Sequence, residues 1–111
     1  MSHTAVRSRL VLMVSAGFAE DLYKAAGPSG DVGRLVGFCL ALHRDTEPGP
    51  VFHARVACAT HARGLRERLE LWLPAAVAEA LVARATAARL TPAQYLAGLV
   101  GSVAYRLANA A

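Results

Sequence analysis

The feature that most constrains the fold of this chain is the alternating segment from Arg68 to Leu73. Leu69 and Leu71 fall on the same side of an extended chain as Leu73, which is the period of a strand with one buried face. Pro74 follows directly, and proline removes a backbone donor but suits the first turn of a helix. The segment therefore predicts a short strand that ends where a helix begins.

Two amphipathic helices are predicted after this strand. The first runs from Ala75 to about Arg89, with Val77 and Leu81 four residues apart on one face. Thr91 is a favourable N-cap for the second helix, and Pro92 is a favourable first residue. Apolar residues then recur at spacings of three and four, at Leu96, Leu99, Val100, Val103 and Leu107. We therefore expect a strand–helix–helix unit over 66–111.

The N-terminal part of the chain repeats this unit. At an offset of 59 residues (66 − 7 = 59), Arg7 aligns with Arg66 and Leu12 aligns with Leu71. Beyond the first helix an offset of 64 (92 − 28 = 64) aligns Pro28 with Pro92. The alignment predicts an internal duplication, with a first, degenerate unit over 1–44, a linker over 45–65 and the second unit over 66–111.

The linker is not a plain flexible tether. It contains the turn sequence Glu47-Pro48-Gly49-Pro50, and an apolar-rich stretch from Val51 to Thr60 that we interpret as a candidate extra strand. On the final helix, Gly98 and Gly101 are interpreted as positions where another helix approaches closely.

The charge balance permits an anionic partner. The chain has 12 Lys and Arg residues against 8 Asp and Glu residues, a formal net charge of +4, which suits nucleic acid without requiring it. Two cysteines, Cys39 and Cys58, are too few for a disulfide framework and are expected to be reduced. No strongly apolar run of about 18 residues occurs. We therefore expect a cytoplasmic protein with no membrane partner.

The C-terminal unit resembles the ribbon-helix-helix superfamily of the MetJ, Arc and CopG type. In that superfamily a proline such as Pro74 commonly ends the strand. The second helix often opens with Ser or Thr, followed by Glu or Gln and an aromatic residue, a habit that Thr91, Gln94 and Tyr95 fit. The resemblance covers 66–111 well and 1–44 weakly.

The resemblance implies a mainly α fold with a short two-stranded antiparallel ribbon above four helices, built from tandem ribbon-helix-helix units. The two units of one chain would pair as an intramolecular pseudo-dimer, or two chains would exchange them as a swapped homodimer. If Val11 lies opposite Glu70, the neighbouring outward pairs are Arg9 with Trp72 and Met13 with Arg68.

The resemblance also implies a DNA-binding function, with double-stranded DNA as the partner. The ribbon would enter the major groove and read bases with the face opposite the core, which carries Arg9, Val11, Met13, Arg68, Glu70 and Trp72. Phosphates would be held by Arg7, Arg66 and the helix start at Thr91 and Ala93, with Gly27 and Ser29 as weaker equivalents. The implied role is that of a transcriptional repressor, an antitoxin or a plasmid-maintenance factor.

The outer face departs from a typical base-reading set, which leaves an alternative open. Val11 and Met13 make no hydrogen bonds to bases, and Glu70 repels phosphate more often than it accepts from cytosine. Arg9 opposite Trp72 would form a cation–π pair. The alternative is a protein–protein interaction module that kept the fold and does not bind DNA, with Trp72 as its anchor.

Other chemistry has weaker support in the sequence. Cys39 and His43 lie four residues apart, and with His53, Cys58 and His61 they are weak candidates for a zinc site. The spacing matches no standard zinc pattern, so a buried thiol and scattered histidines are the favoured interpretation. No catalytic constellation and no Gly-rich phosphate loop stands out. We therefore expect neither an enzyme nor a bound cofactor or metal.

Overall fold

The computed structural model describes residues 7–28, 30–42, 50–61 and 66–109. This part of the chain is mainly helical and contains one two-stranded sheet. The elements in chain order are β1 (Arg7–Ser15), α1 (Ala16–Ala26), α2 (Val32–Leu42), α3 (Pro50–His61), β2 (Arg66–Pro74), α4 (Ala75–Ala87) and α5 (Pro92–Asn109). None of the helices in the described ranges is long and apolar enough to cross a lipid bilayer.

The two strands pair antiparallel along their whole length, within the one chain. Arg7 lies opposite Pro74, Ser15 lies opposite Arg66, and Val11 lies opposite Glu70 at the centre. This is the register considered above, with Arg9 opposite Trp72 and Met13 opposite Arg68. The alternation is confirmed as well, because the inward-facing side chains are buried at Leu12, Val14, Leu69, Leu71 and Leu73.

The first helix after each strand begins without a loop. The Ser15 hydroxyl oxygen accepts a hydrogen bond from the Phe18 amide at 3.3 Å, which caps α1. Pro74 occupies the corresponding place before α4, where its missing N–H leaves no intrahelical bond unmade. The chain leaves α1 through Gly27, whose φ of 78° favours glycine.

The second helix of each segment begins at a side-chain cap. Asp31 Oδ1 accepts from the Arg34 amide at 3.0 Å before α2. Before α5, Thr91 and Gln94 form a reciprocal capping box, with distances of 3.2 and 3.0 Å. The two caps are 60 residues apart (91 − 31 = 60), so the expected offset of 64 is wrong. Pro28 precedes α2 instead of opening it, because the turn continues through Gly30, at φ 65°.

Corresponding positions of the two strand–helix–helix segments are buried alike. Leu22 on α1 and Leu81 on α4 are both fully buried, and so are Val36 on α2 and Leu96 on α5. These side chains join the inner face of the ribbon in one hydrophobic core. A two-stranded ribbon is marginal alone, so this packing beneath it is what stabilises it.

Helix α3 packs across α5. Phe52 is 1% exposed, and its ring meets the Tyr95 ring edge-on with centroids 5.3 Å apart. A Cβ atom at Gly98 would lie 2.9 Å from the Phe52 ring, and one at Gly101 would overlap the side chain of Arg55. The expectation of close helix packing at both glycines is confirmed.

The extra strand considered for Val51 to Thr60 is wrong, because this stretch belongs to α3. Within this helix Phe52 is buried, and its ring packs against Gly98 on α5. The ribbon therefore keeps two strands in the described part of the chain.

Candidate nucleic-acid interface

The outer face of the ribbon presents a continuous exposed surface. Strand alternation directs the side chains between the buried leucines away from the helices. Trp72 is 54% exposed, Met13 53% and Val11 41%, and the charged side chains between them are exposed too. The structure thus brings together the six residues predicted to face bases: Arg9, Val11, Met13, Arg68, Glu70 and Trp72.

An ion pair crosses this face diagonally. Arg9 Nε lies 3.4 Å from Glu70 Oε2, although Arg9 is directly opposite Trp72. Both side chains are more than a third exposed, so solvent screening limits this pair to under about 1 kcal/mol of stability. The expected cation–π pair between Arg9 and Trp72 is wrong, since no such contact occurs between these described residues. The carboxylate of Glu70 competes for the guanidinium and holds it instead.

A groove lies beside each end of the ribbon. The larger has a volume of about 780 Å³ and lies between β1, α1, α3 and the start of α5, with Arg66 and Thr91 on its walls. The smaller has a volume of about 360 Å³ and contains Arg7 together with Asp31 at the start of α2. Arg66 thus shares a groove with the start of α5, and Arg7 shares one with the start of α2.

The backbone donors at the start of α5 are not all available to a ligand. The Thr91 amide donates to Gln94 Oε1, so a phosphate would have to replace that acceptor. The Ala93 amide belongs to the first helical turn, whose donors have no intrahelical acceptor. Of the two predicted backbone contacts, Ala93 is therefore the one that the geometry leaves suited to phosphate.

The weaker phosphate candidates near α2 do not lie at a helix start. Gly27 ends α1, and Ser29 lies outside the described residues. The position that corresponds to Thr91 is Asp31, which the offset of 64 concealed. Its signal in the sequence was the N-cap preference of aspartate immediately before an apolar helix.

The candidate zinc ligands do not form a site in the described part of the chain. Cys39 is buried with 1% exposure, whereas His53 is exposed on α3. Cys58 and His61 lie on α3 by their backbone, and His43 lies outside the described residues. Among the residues that the structure describes, no three His, Cys, Asp or Glu side chains come together to hold a metal ion.

Burial raises the pKa of the Cys39 thiol from 9.0 to about 11. The unfolded chain therefore loses this proton at lower pH than the folded chain does. We expect the free energy of unfolding to fall by up to about 2 kcal/mol as the pH rises from about 9 to about 11. Urea denaturation across this range measures the effect. Cys39→Ala serves as the reference, and an identical decline in that variant would contradict the assignment to Cys39.

Comparison with known proteins identifies no relative of this chain. No family model matches the chain, and no curated protein or solved structure matches it significantly. The candidate interface is therefore argued from the residues of this chain.

Proposed function

We propose that this chain is a DNA-binding protein of the ribbon-helix-helix type, whose ribbon enters the major groove of duplex DNA. The observation that carries the proposal is an exposed two-stranded ribbon bearing four arginines on one face, Arg7, Arg9, Arg66 and Arg68. The major groove admits a ribbon of two strands, and arginine is the commonest side chain to contact guanine there. No described helix covers this face, since α3 packs on α5.

The proposal includes a tandem pseudo-dimer within the chain. The order strand, helix, helix occurs twice, with matching caps and matching buried positions. Val11 and Glu70 are equivalent at the offset of 59, and they also lie opposite each other at the centre of the ribbon. The offset of 59 also maps both ends of β1 (Arg7–Ser15) onto the ends of β2 (Arg66–Pro74). A two-fold axis between two like units places their equivalent residues in this way, which supports the duplication.

Phosphate contacts at the two ends of the ribbon would fix its register on the duplex. Arg66 and the Ala93 amide flank the larger groove, and Arg7 flanks the smaller one. A protein seated in this way excludes other proteins from the same groove. The proposed role is therefore that of a cytoplasmic transcriptional repressor, or of an antitoxin or plasmid-maintenance factor that represses its own operator.

Selection of binding sites from a pool of random duplexes tests this function. We expect a recurring sequence motif, whose affinity falls roughly 10-fold between about 50 and 200 mM salt because about two arginine–phosphate contacts, those of Arg7 and Arg66, release counterions. Fluorescence anisotropy with the selected duplex measures the salt dependence. Recovery of no motif, together with affinity that is independent of salt, would contradict the proposal.

A protein partner is the second candidate, and the exposed apolar side chains favour it. Trp72, Met13 and Val11 lie on the same face as the arginines, and aromatic side chains commonly anchor protein interfaces. In a pull-down experiment we expect Trp72→Ala to remove such a partner. Val82→Ala, an exposed apolar residue on α4, is the matched control. Specific binding to duplex DNA at physiological salt would exclude this candidate.

A further inference from the structure

The two ends of the ribbon are equivalent in fold but not in chemistry. The axis through Val11 and Glu70 relates an end with Arg7, Arg9 and Trp72, called the Arg9 end, to an end with Met13, Arg66 and Arg68, called the Arg68 end. Each end carries two arginines and one large apolar side chain. Their differences lie in the acidic groups around these residues.

The residues at the centre of the ribbon differ in charge. Glu70 and the uncharged Val11 occupy equivalent positions, so only one carboxylate is present where two-fold symmetry would place two. Its ion pair is with Arg9, at 3.4 Å, and not with Arg68. Glu70 engages the Arg9 guanidinium at Nε and places a negative charge beside any base acceptor that approaches it, whereas no described acidic group is ion-paired to Arg68. The arginine at the Arg68 end is therefore the better donor to a guanine edge.

The helix starts differ in the same sense. At the Arg9 end, the cap of α2 is the carboxylate of Asp31, which lines the groove with Arg7. At the Arg68 end, the cap of α5 is the uncharged pair Thr91 and Gln94, which lines the groove with Arg66. Both caps accept the amide three residues further on, but only the carboxylate of Asp31 adds a negative charge that repels a phosphate. The Arg68 end is therefore the better phosphate site.

Acidic groups near the Arg68 end do not reverse this difference. Asp21 lines the larger groove, but Arg55 and Arg66 line it too. Glu67 alternates with Arg66 and Arg68 along β2, which directs its side chain away from the outer face. The outer face and its groove therefore retain a net positive lining at this end.

We propose that the ribbon binds DNA in one orientation, on a sequence without two-fold symmetry, with Arg68 making the dominant base contact. This inference rests on the proposed function. Arg68 takes a guanine through O6 and N7, and Met13, directly opposite it, contacts a neighbouring thymine methyl group. The Arg9 end contributes weaker contacts, because its arginine is paired with Glu70.

Two single variants at equivalent positions test the orientation. On the selected duplex we expect Arg68→Ala to weaken binding roughly 10- to 100-fold, and Arg9→Ala to weaken it less than about 5-fold. Both side chains are exposed, so thermal denaturation should show that both variants remain folded. In a Glu70→Gln background, Arg9 is released, and Arg9→Ala should then cost at least about three times more than it does in the parent.

Symmetrised duplexes provide the second arm of the test. One duplex carries the half-site of the Arg68 end twice, as an inverted repeat, and the other carries the half-site of the Arg9 end twice. We expect the first to bind about as well as the selected sequence and the second at least about 10-fold more weakly. A palindromic selected site with equal losses for Arg9→Ala and Arg68→Ala would overturn the orientation and leave the proposed function standing. Failure of every duplex to bind specifically would overturn the proposed function itself.

Discussion

Replacement of Leu71 by aspartate is expected to unfold the protein. Leu71 is 3% exposed at the middle of β2, on the inner face of the ribbon. A carboxylate there would lose its water without gaining a partner, which costs more than about 4 kcal/mol. Small domains have only about 5 to 15 kcal/mol of stability in total. Circular dichroism should show a loss of most helical signal, because all five described helices contribute buried residues to this core.

The adjacent residue provides the matched control. Trp72 is 54% exposed on the opposite face of the same strand, so Trp72→Asp introduces the same side chain one position along. We expect this variant to stay folded, with a change in the free energy of unfolding of about 1 kcal/mol or less. Equal destabilisation by both substitutions would contradict the alternation on which the candidate interface depends.

Loss of both central arginines is expected to abolish specific DNA binding. Arg9 and Arg68 occupy equivalent positions on the outer face, and a good arginine–guanine contact is worth about 1 to 3 kcal/mol. The double variant Arg9→Ala with Arg68→Ala should therefore bind the selected duplex at least about 30-fold more weakly, with most of the loss arising from Arg68. A gel-shift titration measures this effect.

A second double variant separates contact from net charge. Lys24→Ala with Arg84→Ala also removes two positive charges, but from the last turns of α1 and α4 and not from the ribbon. It should retain binding within about 3-fold, since distant charges act mainly through a screened field. If the two double variants weaken binding equally, the ribbon face is not the site of DNA contact.

The two strands and their buried faces could be predicted from the sequence because their signal is local. The period of two between Leu69 and Leu73 identifies the buried face, and the repeat of Arg7 and Arg9 as Arg66 and Arg68 identifies the partner strand. The register with Val11 opposite Glu70 is one of several in which equivalent residues face each other, and it is the one that the structure has. The positions of the six outer residues followed from these facts.

The linker helix could not be predicted in this way, since its fold depends on a distant contact. The stretch from Val51 to Thr60 contains both strand and helix formers. In the folded chain Phe52 packs against Gly98, which lies far along the chain. The turn before α2 was also misplaced, because Pro28 gives a stronger helix-start signal than Asp31 does, although Asp31 makes the cap.

The ion pair on the outer face also could not be predicted from the sequence. Directly opposed residues can be counted from a register, and that counting placed Arg9 against Trp72. The observed ion pair joins diagonal neighbours, Arg9 and Glu70. Diagonal contacts depend on the twist of the ribbon and on side-chain rotamers, which a linear pattern does not contain. The same holds for the Thr91 amide, whose acceptor is set by the rotamer of Gln94.

The fluorescence of Trp72 offers the most direct test of DNA binding by the ribbon. It is the only tryptophan of the chain, and its side chain lies exposed on the outer face. Titration with the selected duplex at low salt should change its emission saturably and protect it from quenching by acrylamide, and added salt should reverse both effects. Emission and quenching that stay unchanged while the duplex is bound, as shown by anisotropy, would contradict the claim that this face contacts DNA.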